Sequence, residues 1–285
     1  MAEVSSLPCD SHVHTEWSWD TPVGDMEGSC ARAVELGLRA IAFTEHLDHT
    51  VIRIAREGPY VNDRLTGLAD PEGLLTPPAF DPVGYLAAID HCRDRFPQLR
   101  ILSGLEMGEP HRHAGPCSRI LAAGRFDRVL GSLHSLPDRG AFAEPWEIYP
   151  HRDAHEVVRD YLAGVAEMMS TAGMFSVLAH IDYPIRSWPA ERVGPFDPRA
   201  FEEEFRHALR ATARSGRALE INTRLPLHAT ILRWWHEEGG DAVTFGSDAH
   251  LPPDVAHGFT DAAQMAEAHG FRPGPDPHDL WVRAD

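Results

Sequence analysis

The sequence predicts an α/β fold, a closed or nearly closed β/α barrel of seven strand–helix units. Three observations predict it. Apolar strand-like runs alternate with amphipathic stretches from end to end, the pattern of parallel strands joined by crossover helices. Polar, ligand-type residues gather where each strand run stops, as they do on the active face of a β/α barrel. The length of 285 residues suits one large α/β domain or two small ones, with a substantial core.

The strand runs in order are Pro8 to His14, Ala40 to His46, Ile101 to Met107, Arg128 to His134, Phe175 to Ile181, Ala218 to Thr223 and Ala242 to Asp248. Helical patterns lie between them at Met26 to Leu36, Pro82 to Arg95, Ala154 to Ser170, Pro198 to Ser215 and Leu227 to Glu238. Asp197 is placed to cap the helix that opens with Pro198, and Gly216 suits its exit. Three stretches break the alternation: Leu47 to Phe80, Pro137 to Pro150 and Arg186 to Pro198. The first reads as a long loop or lid over the second strand end, and all three belong on the active face. Trp146, Trp188, Trp234 and Trp235 either line a pocket or pack a core, and the core is the default expectation.

Composition excludes several classes. The net charge is -17, from 26 Lys+Arg against 43 Asp+Glu, which repels long nucleic acid. Cys9, Cys30, Cys92 and Cys117 are scattered, form no C-x-x-C pair, and read as free buried thiols of a reducing compartment. Met1 to Pro8 has no basic residue and does not read as a signal peptide, and no run is long enough to span a membrane. A cytoplasmic protein is expected; the sequence leaves its oligomeric state open.

The strand ends carry the chemistry. His12 and His14 are two apart in a strand and so point the same way, as would Asp248 and His250 in Gly246-Ser247-Asp248-Ala249-His250. Either pair alone also fits a surface histidine or a loop cap. His46, Glu106, His134 and His180 each follow apolar or small residues, and any one alone fits a structural role. Jointly they form a carboxylate–histidine cluster on one face. An unpaired buried carboxylate such as Glu106 is expensive, whereas a bridging one is not. Imidazole mixed with hard oxygen ligands favours zinc, manganese or iron. A water shared by two such ions loses a proton near neutral pH, and the hydroxide attacks phosphorus in line.

With these residues in hand, the chain resembles the polymerase-and-histidinol-phosphatase (PHP) family. The matching pieces are Asp10-Ser11-His12-Val13-His14, Thr44-Glu45-His46, Gly104-Leu105-Glu106, Gly131-Ser132-Leu133-His134, Ala179-His180-Ile181-Asp182 and Gly246-Ser247-Asp248-Ala249-His250, in the family's order. The resemblance implies a distorted (β/α)7 barrel with two or three divalent ions. His12, His14, Glu106 and Asp248 would hold one ion. Glu106 would bridge to a second, held by His134 and His180. Asp20, His46 and His250 would hold a third, with Glu16 the local competitor of Asp20.

The stand-alone phosphatase branch is most similar, and it implies a small phosphate ester, first L-histidinol phosphate. Ile181-Asp182-Tyr183-Pro184-Ile185-Arg186 resembles the segment in which that branch holds substrate phosphate by an arginine. Arg186 is the first expectation for that role and Arg224 the second, while Arg112 and His113 are expected to contact substrate. Asp248 and His250 are near enough to assist the leaving alkoxide. Another small phosphate ester, a nucleotide or a cyclic phosphodiester fits the same site, as does a non-catalytic metal-binding protein. A carbon–nitrogen hydrolase with a bridging lysine does not, because the chain contains no lysine.

Overall fold

The computed structural model describes residues 7–55, 63–170 and 173–284. Seven parallel strands form the sheet: β1 (Asp10–Val13), β2 (Ala40–Leu47), β3 (Arg100–Gly108), β4 (Arg128–Ser132), β5 (Val177–Leu178), β6 (Ala218–Asn222) and β7 (Ala242–Gly246). They pair in sequence order, and β7 returns to β1 through Asp10 and Phe245, so the barrel closes. The Asp10 carboxylate reinforces that seam: it accepts from Ser247 Oγ at 2.6 Å and from the Ala256 backbone N–H at 2.8 Å.

The connecting helices are α1 (Met26–Glu35), α2 (Pro82–Arg95), α3 (Ala114–Leu121), α4 (Ala154–Met169), α5 (Glu202–Arg214), α6 (Ala229–Glu237) and α7 (Phe259–Ala268). Local sequence explains their starts. Asp25, Asp81 and Asp153 each accept first-turn backbone N–H groups of α1, α2 and α4. Asp197 caps as expected, but Pro198–Phe201 is a 3₁₀ turn, and the α-helical part begins only at Glu202.

Alternation along β2 divides the packing. Ile41 and Phe43 join Met26 and Cys30 of α1 and Tyr85 and Ile89 of α2 in one apolar cluster. Ala40 and Ala42 pack instead with Cys9 and Leu102. The larger cluster joins α4, α5 and α6 to β3–β7, with Trp234 and Trp235 fully buried within it. All four cysteines are buried and free. Among the described residues no helix is long and apolar enough to cross a membrane. The Met1 to Pro8 reading falls largely outside the described residues.

Two stretches read as irregular are partly ordered by each other. Ile52–Arg53 pairs antiparallel with Leu74–Leu75 and parallel with Ala141–Ala143, which pairs antiparallel with Leu136–Asp138. The insert and the loop after β4 thereby share a four-stranded sheet, packed on Ile52, Ile54, Leu65 and Leu75. The insert also carries a short helix, Asp63–Leu68, while its residues 56–62 lie outside the described set. Three elements had no reading in the sequence: α3, α7 and a closing ribbon in which Trp281–Arg283 pairs antiparallel with β7 and with Phe271–Arg272.

Candidate metal centre and substrate cavity

The strand ends converge on Glu106. Near the end of β3 this carboxylate is 1% exposed, yet its two oxygens face different groups. Oε2 lies 3.3 Å from His12 Nε2, 3.4 Å from His14 Nε2 and 3.1 Å from His46 Nδ1. Oε1 lies 2.6 Å from His180 Nε2 and 3.2 Å from His134 Nε2. Asp248 adds Oδ1 at 3.5 Å from His14 Nε2. Asp20 Oδ2 stands 3.4 Å from His46 Nε2 and 3.3 Å from His250 Nε2. All nine residues expected as ligands are thus brought together, and Glu16 is not among them. Its Oε2 accepts the Met26 N–H at 2.8 Å and serves the start of α1.

These donors fit divalent ions. His12 Nε2 and His14 Nε2 are 3.0 Å apart, two imidazole nitrogens turned on one point with carboxylate oxygens beside them. Donor separations of 3.0–3.5 Å match the edges of a coordination shell with metal–ligand bonds of about 2.1 Å. Burial opposes the charged form of Glu106, but His12, His134 and His46 outweigh it and hold the carboxyl well below its usual range. Asp248 is held low in the same way, against burial, by Arg186, His12 and His14. Burial also opposes a charged His46, yet Asp20 and Glu106 push it up to about 10. Such a cluster draws in positive charge. His14 goes the other way, down to about 4 through burial and the charges of His46 and His250, and remains a neutral imidazole.

Residues behind the cluster aim it. Glu220 Oε1 lies 2.6 Å from His12 Nδ1, which turns Nε2 toward Glu106, and Glu220 Oε2 accepts the His180 N–H at 2.8 Å. A Cβ at position 246 would meet Glu220 Oε1 at 2.1 Å, so Gly246 is required by this contact. Asp48 stands 3.6 Å from His134 Nδ1 and 3.5 Å from His46 Nδ1, and accepts from Trp19 Nε1 at 2.8 Å. With His46 and His134 it forms a further set of three donors. Gly108 permits that approach, since a Cβ there would meet Asp48 Oδ1 at 2.0 Å. Glu109 accepts the His134 and Ser135 N–H groups at 2.7 and 2.8 Å and fixes the turn after β4. Glu109 and Asp248 hold left-handed backbone, at φ 46 and φ 53, a strain concentrated at the site.

Sequence reading missed Glu220, Asp48 and Glu109. The spacing His46-x-Asp48 repeated the two-residue alternation of His12 and His14 and was a usable signal.

A cavity of about 550 Å³ opens over the cluster. Arg186 lines it, with Nη2 at 2.6 Å from Asp248 Oδ2 and its guanidinium over the Tyr183 ring at 5.0 Å. Arg224, half-exposed, reaches His250 Nδ1 at 2.9 Å. The insert contributes Asp48, Thr50, Ile52, Leu65 and Pro77. Trp146 also faces the cavity, against the expectation of a core role, and Trp188 packs on Tyr149, Phe196 and Phe201. Arg112 and His113, expected to contact substrate, do not line this cavity. Arg112 lies over Phe142 at 4.5 Å and donates to the Ser135 carbonyl, and His113 contacts Thr50 Oγ1 at 2.8 Å. Both brace the loop that carries Glu109.

A family model described as "PHP domain" matches residues 10–224. A curated histidinol-phosphatase of Lactococcus lactis is 26% identical over 255 residues, covering 85% of this chain and 84% of its own. A probable histidinol-phosphatase of Deinococcus radiodurans is 29% identical over 274 residues, covering 93% and 94%. Among solved structures, the histidinol phosphate phosphatase of Lactococcus lactis complexed with zinc, L-histidinol and phosphate shares the fold with a TM-score of 0.77 at 23% identity. That match covers 96% of this chain and 98% of the other. A putative histidinol phosphatase from Listeria monocytogenes aligns with a TM-score of 0.71 at 20% identity, over 89% and 99%.

Proposed function

The chain belongs to the PHP domain family, and on that premise we propose that it is a metal-dependent phosphomonoesterase that hydrolyses L-histidinol phosphate to L-histidinol and phosphate. One observation carries the reading. The two oxygens of a single buried carboxylate, Glu106, face two separate sets of histidines beneath a cavity lined by Arg186. Two curated relatives that match along most of the chain are a histidinol-phosphatase and a probable histidinol-phosphatase.

On this reading His12, His14, Glu106 and Asp248 hold one ion, Glu106, His134 and His180 a second, and Asp20, His46 and His250 a third. Divalent ions there supply Lewis acidity, which lowers the pKa of water and neutralises phosphate oxygens. Arg186 grips a phosphate oxygen and stabilises charge as it develops. Arg224 assists from the rim. Asp248 is an anionic ligand and not a proton donor, because Arg186 and the histidines hold its carboxyl ionised. The insert forms part of the wall that encloses the leaving group.

The test is phosphate release from L-histidinol phosphate by protein supplied in turn with zinc, manganese or iron. Turnover is expected, lost on chelation and restored by metal. Hydrolysis of a sugar phosphate or cyclic phosphodiester but not of L-histidinol phosphate would replace the substrate. Metal binding without hydrolysis of even an aryl phosphate would leave a metal-binding protein.

A further inference from the structure

Part of the cavity lining is unlike the metal cluster. Glu144, Trp146 and Tyr183 stand together there. Glu144 is 8% exposed and precedes the short helix Pro145–Ile148, yet its side chain makes no capping bond. It accepts a short hydrogen bond from the Tyr183 hydroxyl. Among the described residues no arginine or histidine lies within ion-pair distance of it. A buried carboxylate without a counter-ion is costly, and a partner of opposite charge removes the cost.

Tyr183 sets where Glu144 stands. Its ring lies 5.1 Å from that of His134 and 4.9 Å from that of His180, while its hydroxyl reaches out to Glu144. Glu144 is therefore one tyrosine length from the cluster, on the same cavity, with the Trp146 ring 6.4 Å from that of Tyr183. An ester whose phosphate sits on the cluster would extend its alcohol along this wall.

We propose that Glu144 is a specificity-determining residue whose carboxylate takes a primary ammonium group on the leaving alcohol, so that the enzyme selects phosphate monoesters of amino alcohols. The inference rests on the phosphomonoesterase reading and deepens it. L-Histidinol phosphate carries such an amine on the carbon next to the ester-bearing one. Burial pushes Glu144 up to about 8, tempered by His134 and the Tyr183 hydrogen bond. An ammonium seated beside it favours the carboxylate and so gains from the encounter. The Trp146 ring on the same wall suits a cation as well.

The experiment compares metal-loaded wild type and Glu144→Gln on L-histidinol phosphate, on its deaminated analogue and on p-nitrophenyl phosphate. Wild type is expected to prefer the amine-bearing ester to the deaminated one. In Glu144→Gln the loss of kcat/KM on L-histidinol phosphate should exceed that on the deaminated ester by about 30-fold or more. Calorimetry with L-histidinol should show a Kd weakened by a similar factor. Equal losses on both esters, or an unchanged Kd for L-histidinol, would overturn the inference. So would a wild type that treats the two esters alike, a result that needs no variant to fold. Hydrolysis of p-nitrophenyl phosphate without any hydrolysis of the amine-bearing ester defeats the inference and leaves a phosphomonoesterase standing. No hydrolysis of any ester by the metal-loaded protein removes the phosphomonoesterase reading itself.

Discussion

Nδ1 of His12 lies 2.6 Å from Oε1 of Glu220, and both side chains are fully buried. The pair fixes which imidazole nitrogen is free, because a proton on Nδ1 leaves the Nε2 lone pair for a cation. Glu220→Ala should therefore weaken metal retention by about 10- to 100-fold without removing a ligand. A competition titration against a chelator measures this directly. An unchanged metal affinity would make Glu220 a purely structural acid.

Glu106 carries a larger share of the site. Its oxygens face His12, His14 and His46 on one side and His134 and His180 on the other. Glu106→Gln keeps the shape and removes the charge. The expected outcome is loss of more than one ion per chain and a fall in kcat of at least about 100-fold. Elemental analysis after dialysis, paired with phosphate release, checks both. A variant that loses a single ion would show that the carboxylate serves only one metal.

Asp20 and Glu16 separate cleanly. Asp20 reaches His46 and His250, whereas Glu16 holds the first N–H of α1. Asp20→Ala should lower metal content and activity. Glu16→Ala should leave metal content alone and cost about 1 kcal/mol of stability, as loss of a cap does. Metal content and thermal midpoints of the two variants, taken together, decide the assignment.

The strand ends were readable because a buried parallel strand is apolar until it leaves the sheet, and the first polar residues after it meet at one face. His134 and Asp248 follow that rule beyond β4 and β7, and His12 and Glu106 join them from the last residues of β1 and β3. The same rule points to Asp48 and Glu109, which directly follow β2 and β3, whereas Glu144 stands well beyond β4 and outside its reach. Glu144 follows Ala141–Ala143, which pairs with Ile52–Arg53 and Leu136–Asp138, strands too short to leave a periodic signal. The run Phe175 to Ile181 has the pattern of a full strand, whereas β5 keeps only Val177–Leu178, and His180 follows with φ 21. A strand residue cannot hold that backbone, and the turn it makes delivers its ring to Glu106.

Arg186 tests the phosphate contact. Its Nη2 is 2.6 Å from Asp248, and its plane covers Tyr183 at 5.0 Å. Arg186→Lys keeps the charge but loses the flat two-pronged donor. The expected cost is about 100-fold in kcat/KM, with weaker inhibition by inorganic phosphate. Arg224→Ala, on a half-exposed side chain, should cost less. Equal effects from the two would place the phosphate nearer the rim.

Glu144 makes a prediction about stability that runs against its use in binding. Its carboxyl is pushed up from 4.5 to about 8, chiefly by burial. Folding therefore takes up a proton between those values. The contribution is fully present below about 4.5 and is lost as pH rises through about 8. Above that pH the folded protein must bury a charge, at a cost of up to about 5 kcal/mol. Glu144→Gln removes that charge and keeps an acceptor for Tyr183. Its melting temperature should exceed that of wild type by several degrees at pH 9 and not at pH 5. Parallel melting curves across that range would mean that the carboxyl is solvated. A variant that is more stable at high pH and less selective toward amines would show that the uncompensated carboxylate is retained for the substrate.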